Sequence, residues 1–488
     1  MCCSVHVVFI NGLSDDPAGN ARGNHMKCIT SYFELEKNST TVWREALAGL
    51  TTFLTMSYII FVQPAMMGSL GMDRGSVMAA TCLASAIATL VMGLLARYPI
   101  AVAPAMGHNA FFAFMVCAPA AAGGLGYTWQ QGLAAVMLSG IAFVALSFVG
   151  LREALITAVP ESIKYGIAAG IGLLIAVIGM EYGGLIIMSS PTLIKMGDLS
   201  STPVLLTLFG LAVTSLLLVR GVRGAILVGM LATALAALAC GAIEYHGMFS
   251  TPPSVAPTFF KLDFSGLLGC KGIVGVVFIF FILDLFDSVG TLVGVSSQAG
   301  FLRPDGSLPR AQQALFADAA GTVVGSALGT TTLTAYIESS AGIAAGGRTG
   351  LANVVTAALF LLALFCAPLM EMIASAVTVD YTVFFSPEFP AVRHTMSHYP
   401  VLAPVLLVVG AYMMCGIKNI KWDDMSEALP AYLAMIIMPL SFSITEGIAF
   451  GFISYTVLQA ARGRAARVHW IVYAVSALFI IRYVWLGM

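Results

Sequence analysis

Long apolar stretches recur along the whole chain and are separated by short polar turns. A helix needs ~20 apolar residues to cross a bilayer, and most of these stretches approach that length. Candidate spans begin near residues 45, 76, 100, 130, 160, 203, 224, 271, 311, 329, 349, 400, 430 and 446. A last apolar stretch runs from 468 to 486. The pattern predicts an all-α polytopic membrane protein with about fourteen transmembrane segments, and it leaves the place of the last stretch open.

Two of these spans are interrupted. Residues 99–107 contain two prolines and a glycine, which remove a backbone donor or loosen the backbone. Residues 329–336 are rich in threonine, which favours an extended conformation. A short apolar helix is predicted after each break. Interrupted segments at matching positions of two halves point to the central site of a transporter, so the pattern predicts a seven-plus-seven inverted repeat.

Positive charges predict the orientation. If the N-terminus is cytoplasmic, the Lys and Arg residues that flank the spans fall on the cytoplasmic side, as is usual in membrane proteins. They include Arg44, Arg97, Arg152, Arg220, Arg310, Arg348 and Lys418. Arg462 and Arg464 join them only if residues 430–460 cross and return as two short helices. We therefore expect a multi-pass protein of the cell membrane, inner or plasma.

Composition narrows the function class. The chain has 488 residues, 59% of them hydrophobic and 10% charged, whereas a soluble domain carries about 25% charged residues. The net charge of -1 gives no indication of a nucleic-acid partner. The nine cysteines follow no metal-binding or redox spacing, and no hydrolase or nucleotide-binding motif is present. No cofactor is predicted, and an enzyme is disfavoured.

The most informative charges are Asp284 and Asp287, which lie three residues apart in the apolar segment 278–296. On a helix they share one face. An ionised carboxylate at mid-bilayer costs at least ~2.5–3.5 kcal/mol on insertion scales, and two like charges raise that cost. We expect the pair to titrate as a unit, with one aspartate carrying a coupling proton and the other ordering the site or binding substrate. The alternative is a structural hydrogen-bonded pair.

Several long motifs, in order, resemble one transporter family. The segments 45–62, 106–114, 284–294, 317–325, 334–350 and 427–432 are similar to those of the adenine/guanine/hypoxanthine permeases, the AzgA-like branch of the nucleobase–cation symporters. The resemblance covers about residues 30–460. It implies the fold of the uracil and xanthine permeases, purine nucleobases as substrates, a proton as the coupling ion, and a homodimer.

The resemblance also implies a division into two moving parts. A core domain comprises residues 41–155 and 270–375, and a gate domain comprises residues 156–250 and 398–488. Transport is expected to proceed by elevator-type alternating access, with the core moving against the gate. Residues 1–40 are expected to form a disordered cytoplasmic tail.

A purine base is flat and neutral, and its edge carries N–H donors and N or O acceptors, so its site needs carboxylates, an amide and a flat surface. Glu338 is the expected anchor, and a helix-capping carboxylate is the alternative. Asp287 matches the fold's second acidic position, and Asn109 either pairs with the base or caps a helix. The other expected site residues are Asp284, Thr291, Tyr336, Ile337, Phe111, Phe112 and Thr52. The two phenylalanines serve either base stacking or packing.

Two residues depart from the family pattern. His108 stands where an aliphatic residue is usual, and it is expected to affect selectivity or pH response. Gln63 stands before Pro64 where Asn is usual, and we expect little effect because it lies near the end of its span.

Two other substrate classes stay open. Uracil or xanthine would suit the same fold, although the paired aspartates favour the adenine/guanine/hypoxanthine branch. An anion transporter is less favoured, because Glu338 and Asp287 would repel an anion at the centre.

Overall fold

A computed structural model of the chain describes residues 30–120, 124–149, 160–189, 193–270, 272–301, 303, 308–383 and 392–486. The predicted tail therefore lies mostly outside the described residues. The α-helices are α1 Val42–Met56, α2 Ile59–Gly68, α3 Arg74–Val91, α4 Met106–Ala110, α5 Trp129–Val149, α6 Glu161–Tyr182, α7 Thr202–Val219, α8 Ala225–Ala239, α9 Phe264–Leu268, α10 Ile273–Ala299, α11 Ala311–Leu328, α12 Ser339–Ala344, α13 Leu351–Ala363, α14 Ala367–Ile373, α15 Ala403–Met413, α16 Met425–Ser441, α17 Ile444–Ala461 and α18 Trp470–Leu486.

The described strands are short and form three two-stranded sheets. They are β1 Val102–Pro104, β2 Ile186–Ser189, β3 Leu193–Met196, β4 Leu333–Ala335, β5 Val377–Val383 and β6 Val392–His398. β2 pairs with β3 and β5 with β6 as hairpins between helices, whereas β1 pairs with β4 across the two halves of the chain.

Among the described residues, seven helical segments are long and apolar enough to cross a membrane. They are Val42–Gly68, Arg74–Ala96, Trp129–Ser147, Glu161–Tyr182, Thr202–Val219, Ile273–Ser296 and Leu351–Ile373. Four shorter apolar helices accompany them, at Ala225–Ala239, Ala403–Asn419, Met425–Ser441 and Trp470–Ile481. The prediction of an all-helical polytopic membrane protein is confirmed.

The two predicted interruptions are present, and each is a short strand followed by a short helix. Strand β1 leads into α4, and β4 leads into α12. Helix α11 ends before β4 because Gly329 adopts a φ of 105°, a left-handed conformation that other residues rarely accept. β1 and β4 are antiparallel, with Ala103 opposite Thr334. In two halves of inverted topology, corresponding segments run in opposite directions, so their strands are expected to pair antiparallel.

Two groups of helices pack closely through small residues, as is common in membrane proteins. In the first group, a side chain on Gly49 of α1 would meet the Ala352 carbonyl of α13 at 2.3 Å. In the second, a side chain on Gly172 of α6 would meet the Gly410 carbonyl of α15 at 2.6 Å. Gly166 of α6 lies equally close to α16.

Residues 430–460 form two successive helices that run out and back, the arrangement under which Arg462 and Arg464 join the other flanking positive charges. Helices α16 and α17 are joined by two residues, and the residues after α17 return to the start of α16. There Arg462 contacts Asp424, and Nη1 of Arg464 lies 3.4 Å from Oδ2 of Asp424. Residues 424 and 462 therefore lie at the same end of the bundle. Helix α18 packs on α17, where the Tyr483 hydroxyl donates to Glu446.

Residues 30–40 differ from the predicted disordered tail. Phe33 and Leu35 are buried and pack with Leu351, and the Tyr32 hydroxyl donates to the Leu94 carbonyl at 3.0 Å. Composition suggested a tail because the preceding residues are polar and glycine-rich, but two buried apolar side chains of this segment pack against the bundle.

Candidate functional site

The paired strands bring the two broken spans together at one place. Beyond the ladder, the Ala105 N–H donates to the Thr332 carbonyl at 3.0 Å, and the Tyr336 N–H donates to the Ala101 carbonyl at 2.9 Å. These bonds satisfy backbone groups that would otherwise be unpaired at membrane depth. Because α4 starts after β1 and α12 starts after β4, the first turns of both short helices lie beside this two-stranded sheet.

Glu338 lies at the start of α12 and is held by the first span. Its Oε1 accepts a hydrogen bond of 2.8 Å from the Tyr58 hydroxyl, and its carbonyl lies 3.4 Å from Oγ1 of Thr55. The Glu338 side chain makes no capping bond to α12. The alternative of a helix-capping carboxylate therefore does not describe this structure.

The two residues before Glu338 have opposite environments. Tyr336 is buried, and its hydroxyl donates to the Pro104 carbonyl at 2.5 Å, which ties β4 to β1. Ile337 is 43% exposed. The expected backbone contact through Ile337 thus stays a prediction, whereas the Tyr336 side chain has a structural partner.

Asn109 is fully buried in α4 and belongs to a chain of polar side chains. Its Oδ1 accepts a hydrogen bond from the Thr331 hydroxyl. Among the described residues, its Nδ2 has a weak contact with the Met106 sulfur, at 3.9 Å, and no stronger partner. The amide is therefore oriented by Thr331, and its N–H₂ group retains donor capacity for a ligand.

Gln63 orients this chain from the first span. Its Nε2 donates to the hydroxyls of Thr330 and Thr331, at 3.0 and 3.1 Å, and the side chain is fully buried. The expectation that Gln63 has little effect stays a prediction, but the buried hydrogen bonds of Gln63 argue against its premise. Helix α2 continues to Gly68, so position 63 faces the broken segment, several residues before the helix ends.

Asp287 faces the paired strands. Its Oδ2 accepts a hydrogen bond of 3.2 Å from the Thr334 hydroxyl, and its side chain is 32% exposed. The same oxygen lies 3.9 Å from Nδ1 of His108, the residue before Asn109. Asp287 therefore shares its surroundings with both broken segments.

Asp284 has different surroundings, although it lies one turn away. It is fully buried, and it accepts hydrogen bonds from the hydroxyls of Ser288, at 3.3 Å, and Thr322, at 3.4 Å. The single proton of the Ser288 hydroxyl is shared between Asp284 and Asp318 on α11. The proton of the Thr322 hydroxyl is likewise shared between Asp284 and the carbonyl of Leu333 in β4. Asp284 thus joins α10 and α11 behind β4, as a structural hydrogen-bonded carboxylate would.

The remaining expected site residues lie around this centre. Phe111 and Phe112 are buried against Phe280 of α10, with ring centroids 4.8 and 6.5 Å apart, so their rings are engaged in packing. Thr52 is buried against Gly342 of α12. Thr291 is partly buried on α10.

The site therefore offers two carboxylates, a buried amide and a buried imidazole around one two-stranded sheet. No group of three or more His, Cys, Asp or Glu side chains in the described part of the chain is placed to hold a metal ion. Tyr58 belongs to this candidate site among the described residues, and the sequence had not indicated it. The available signal was its place in the polar stretch Thr55–Tyr58, where the first span breaks between α1 and α2.

A bundle of apolar helices with two antiparallel broken spans at its centre defines a multi-pass membrane transporter. The model of the Permease family (Xan_ur_permease) matches residues 44–385, and the chain belongs to this family. It is 41% identical to the guanine/hypoxanthine permease PbuG of Bacillus subtilis, over 94% of this chain and 100% of the relative. It is 40% identical to the adenine permease AdeP of Escherichia coli, over 93% and 95%.

The fold has a solved counterpart. The transmembrane domain of the cyanobacterial bicarbonate transporter BicA matches with a TM-score of 0.60 and 15% identity, over 82% of this chain and 96% of that domain. At this identity the likeness concerns the fold alone. The resemblance noted from the motifs, and the fold class that it implied, are confirmed.

Proposed function

We propose that this protein imports the purine nucleobases adenine, guanine and hypoxanthine by proton symport. The observation that carries the proposal is the meeting of Glu338, Asp287 and Asn109 at the paired broken segments. Carboxylate oxygens accept hydrogen bonds from purine N–H groups, and an amide both donates and accepts. The relatives named as adenine and guanine/hypoxanthine permeases support this substrate class.

We assign the two principal roles as follows. Glu338 anchors the base through Oε2, because Oε1 is engaged by Tyr58. The Asn109 amide contributes an N–H donor, because its oxygen is engaged by Thr331. Both groups are held before substrate arrives, so little conformational entropy is lost on binding.

Asp287 is the better candidate for the coupling proton. A carboxylate in the membrane interior is costly while ionised, and protonation removes most of that cost. Asp287 is partly exposed and has a hydroxyl partner, whereas Asp284 is fully buried among Ser and Thr hydroxyls. In this division of roles, Asp287 carries the proton, and Asp284 holds α10 and α11 in place through Ser288 and Thr322.

The transport step follows from charge neutralisation. With Asp287 protonated and Glu338 paired to the base, the core domain carries less uncompensated charge past the gate, and its movement costs less desolvation energy. The packing of α1 against α13, and of α6 against α15 and α16, supports the division into core and gate. We further propose a cytoplasmic N-terminus, because it places the flanking arginines inside, and a homodimer.

Uracil, xanthine and anions are the competing substrates. An anion is disfavoured by the two carboxylates, which would repel it at short range. Uracil and xanthine present edges similar to those of the purines, so direct competition must separate them.

Uptake in cells that lack their own purine carriers tests the proposal. Radiolabelled hypoxanthine is supplied with and without a protonophore, and with unlabelled adenine, guanine, xanthine or uracil as competitor. We expect uptake that collapses with the protonophore and is blocked by adenine or guanine. Glu338→Gln and Asp287→Asn should abolish it at normal membrane abundance, while Asp198→Asn, in an exposed loop, should leave it unchanged. Uptake indifferent to the proton gradient would overturn the coupling, and normal uptake by both site variants would overturn the site.

A further inference from the structure

His108 is a buried imidazole without a hydrogen-bond partner. The residue is 2% exposed, and neither ring nitrogen has a partner among the described residues. A buried polar group left unpaired costs about 1–3 kcal/mol. Most buried polar groups in proteins are paired, and an exception calls for an explanation. The proposed substrate contacts of Glu338 and Asn109 do not supply one.

The carboxylate of Asp287 faces this ring. Nδ1 of His108 lies 3.9 Å from Oδ2 of Asp287, the oxygen that accepts the Thr334 hydrogen bond. A hydrogen bond between nitrogen and oxygen needs about 2.7–3.2 Å, so the two groups face each other without bonding. A movement of about 1 Å would close the gap, and such contacts often tighten when substrate binds.

The elements around α4 bring few other titratable groups to His108. Helix α2 contains none. Helix α6 packs on α4 through Ile171, and its titratable residues lie in its first and last two turns. On α10, Asp284 is engaged with Ser288 and Thr322. On the α12 side, Glu338 is held by Tyr58, and the Tyr336 hydroxyl is held by Pro104.

We propose that His108 and Asp287 form a pair that shares the coupling proton. The inference rests on the proposed proton symport and adds a second proton-binding residue to it. One proton enters from outside and is held on Oδ2 of Asp287 or Nδ1 of His108. It leaves to the cytoplasm, which returns the imidazole to its neutral form and Asp287 to its carboxylate. Two adjacent acceptors hold the proton at a higher pH than the carboxylate would alone.

The pH dependence of uptake tests the pair. Initial rates of hypoxanthine uptake are measured from about pH 5 to pH 8, the range in which imidazoles titrate. His108→Gln keeps a polar side chain that cannot titrate, and His108→Leu removes the polar group. We expect both variants to transport. The pH of half-maximal uptake should be lowered by about one unit, because a one-unit change in pKa corresponds to roughly the free energy of one hydrogen bond. His246→Gln, at an exposed position, should keep the wild-type profile.

A second variant changes Asp287, the other member of the pair. Asp287→Glu lengthens the carboxylate by one methylene and shortens its distance to Nδ1, so the half-maximal pH should rise. If the His108 variants fail to reach the membrane, the half-maximal pH of Asp287→Glu alone tests the pair. Wild-type pH profiles in all transporting variants would overturn the pair and leave the proposed function intact. Failure of the wild-type protein to take up purines in a protonophore-sensitive way would instead overturn the proposed function.

Discussion

The hydroxyl of Tyr58 donates a hydrogen bond of 2.8 Å to Oε1 of Glu338. This bond joins the break in the first span to the start of α12, across 280 positions of sequence. It orients the carboxylate of Glu338 at the start of α12. The first span therefore contributes Tyr58 to the candidate site, in addition to Thr52, which the sequence had already indicated.

Loss of this bond should weaken substrate binding while the protein still folds. Tyr58→Phe removes only the hydroxyl and leaves the ring in place. Hydrogen bonds to charged groups contribute about 1.5–3 kcal/mol, so we expect the KM for hypoxanthine to rise about tenfold or more. Concentration-dependent uptake at matched membrane abundance measures this. Tyr432→Phe, at an exposed position of α16, is the control, and an unchanged KM for Tyr58→Phe would exclude the positioning role.

Gln63 should contribute to stability as well as to the site. Gln63→Leu removes two buried hydrogen bonds and leaves the hydroxyls of Thr330 and Thr331 without this donor. We expect a loss of about 1–3 kcal/mol and reduced uptake, because Thr331 orients Asn109. Thermal unfolding of the purified protein in detergent measures the first effect. The Asn side chain of Gln63→Asn is too short to bond both threonines, so the stability of this variant should lie between those of the wild type and Gln63→Leu. Wild-type stability of Gln63→Leu would contradict this account.

The contact between α1 and α12 should tolerate no side chain at Gly342. A Cβ there would lie 2.0 Å from Oγ1 of Thr52 and 2.7 Å from the Ala48 carbonyl. Gly342→Ala should therefore displace α12 and with it Glu338, which lowers both stability and uptake. Gly290→Ala is the matched control, because nothing lies within 4 Å of a Cβ at that helical position. Equal stability and equal uptake of the two variants would show that α12 can move to accommodate the added side chain.

The docking of residues 30–40 should depend on pH. The Glu34 carboxylate accepts from Lys37 at 3.0 Å and from Arg97 at 3.1 Å, and the Arg97 guanidinium lies 4.6 Å from the Tyr32 ring centroid. These partners, first the Lys37 hydrogen bond, lower the pKa of Glu34 below its ordinary 4.5. The group thus contributes stability above that pH, which is lost as the pH falls through the lowered pKa.

Hydrogen–deuterium exchange of this segment checks the prediction. Exchange, corrected for its intrinsic pH dependence, should increase when the pH falls well below 4.5. Arg97→Ala should increase it already at neutral pH, whereas Lys261→Ala, at an exposed position, should not. Undiminished protection in Arg97→Ala would mean that Phe33 and Leu35 alone hold the segment.

Much of the architecture was determined by the sequence itself. Apolar length predicted the spans, because the bilayer demands about twenty residues to cross it. Proline, glycine and threonine predicted both interruptions, because these residues disfavour helix locally. The charges of Arg462 and Arg464 fit the predicted side only if residues 430–460 cross and return, and in the structure both arginines contact Asp424, before the start of α16.

The identity of partners was decided only by the tertiary structure. Asp284 and Asp287 look equivalent at a spacing of three, yet one is enclosed by Ser288 and Thr322 and the other faces Thr334. Tyr58 and Gln63 contact the second broken segment through Glu338 and through Thr330 and Thr331, which lie more than 260 positions away in the sequence. Helical periodicity specifies which residues share a face, but not which distant segment covers it. That depends on long-range packing, which no local pattern contains.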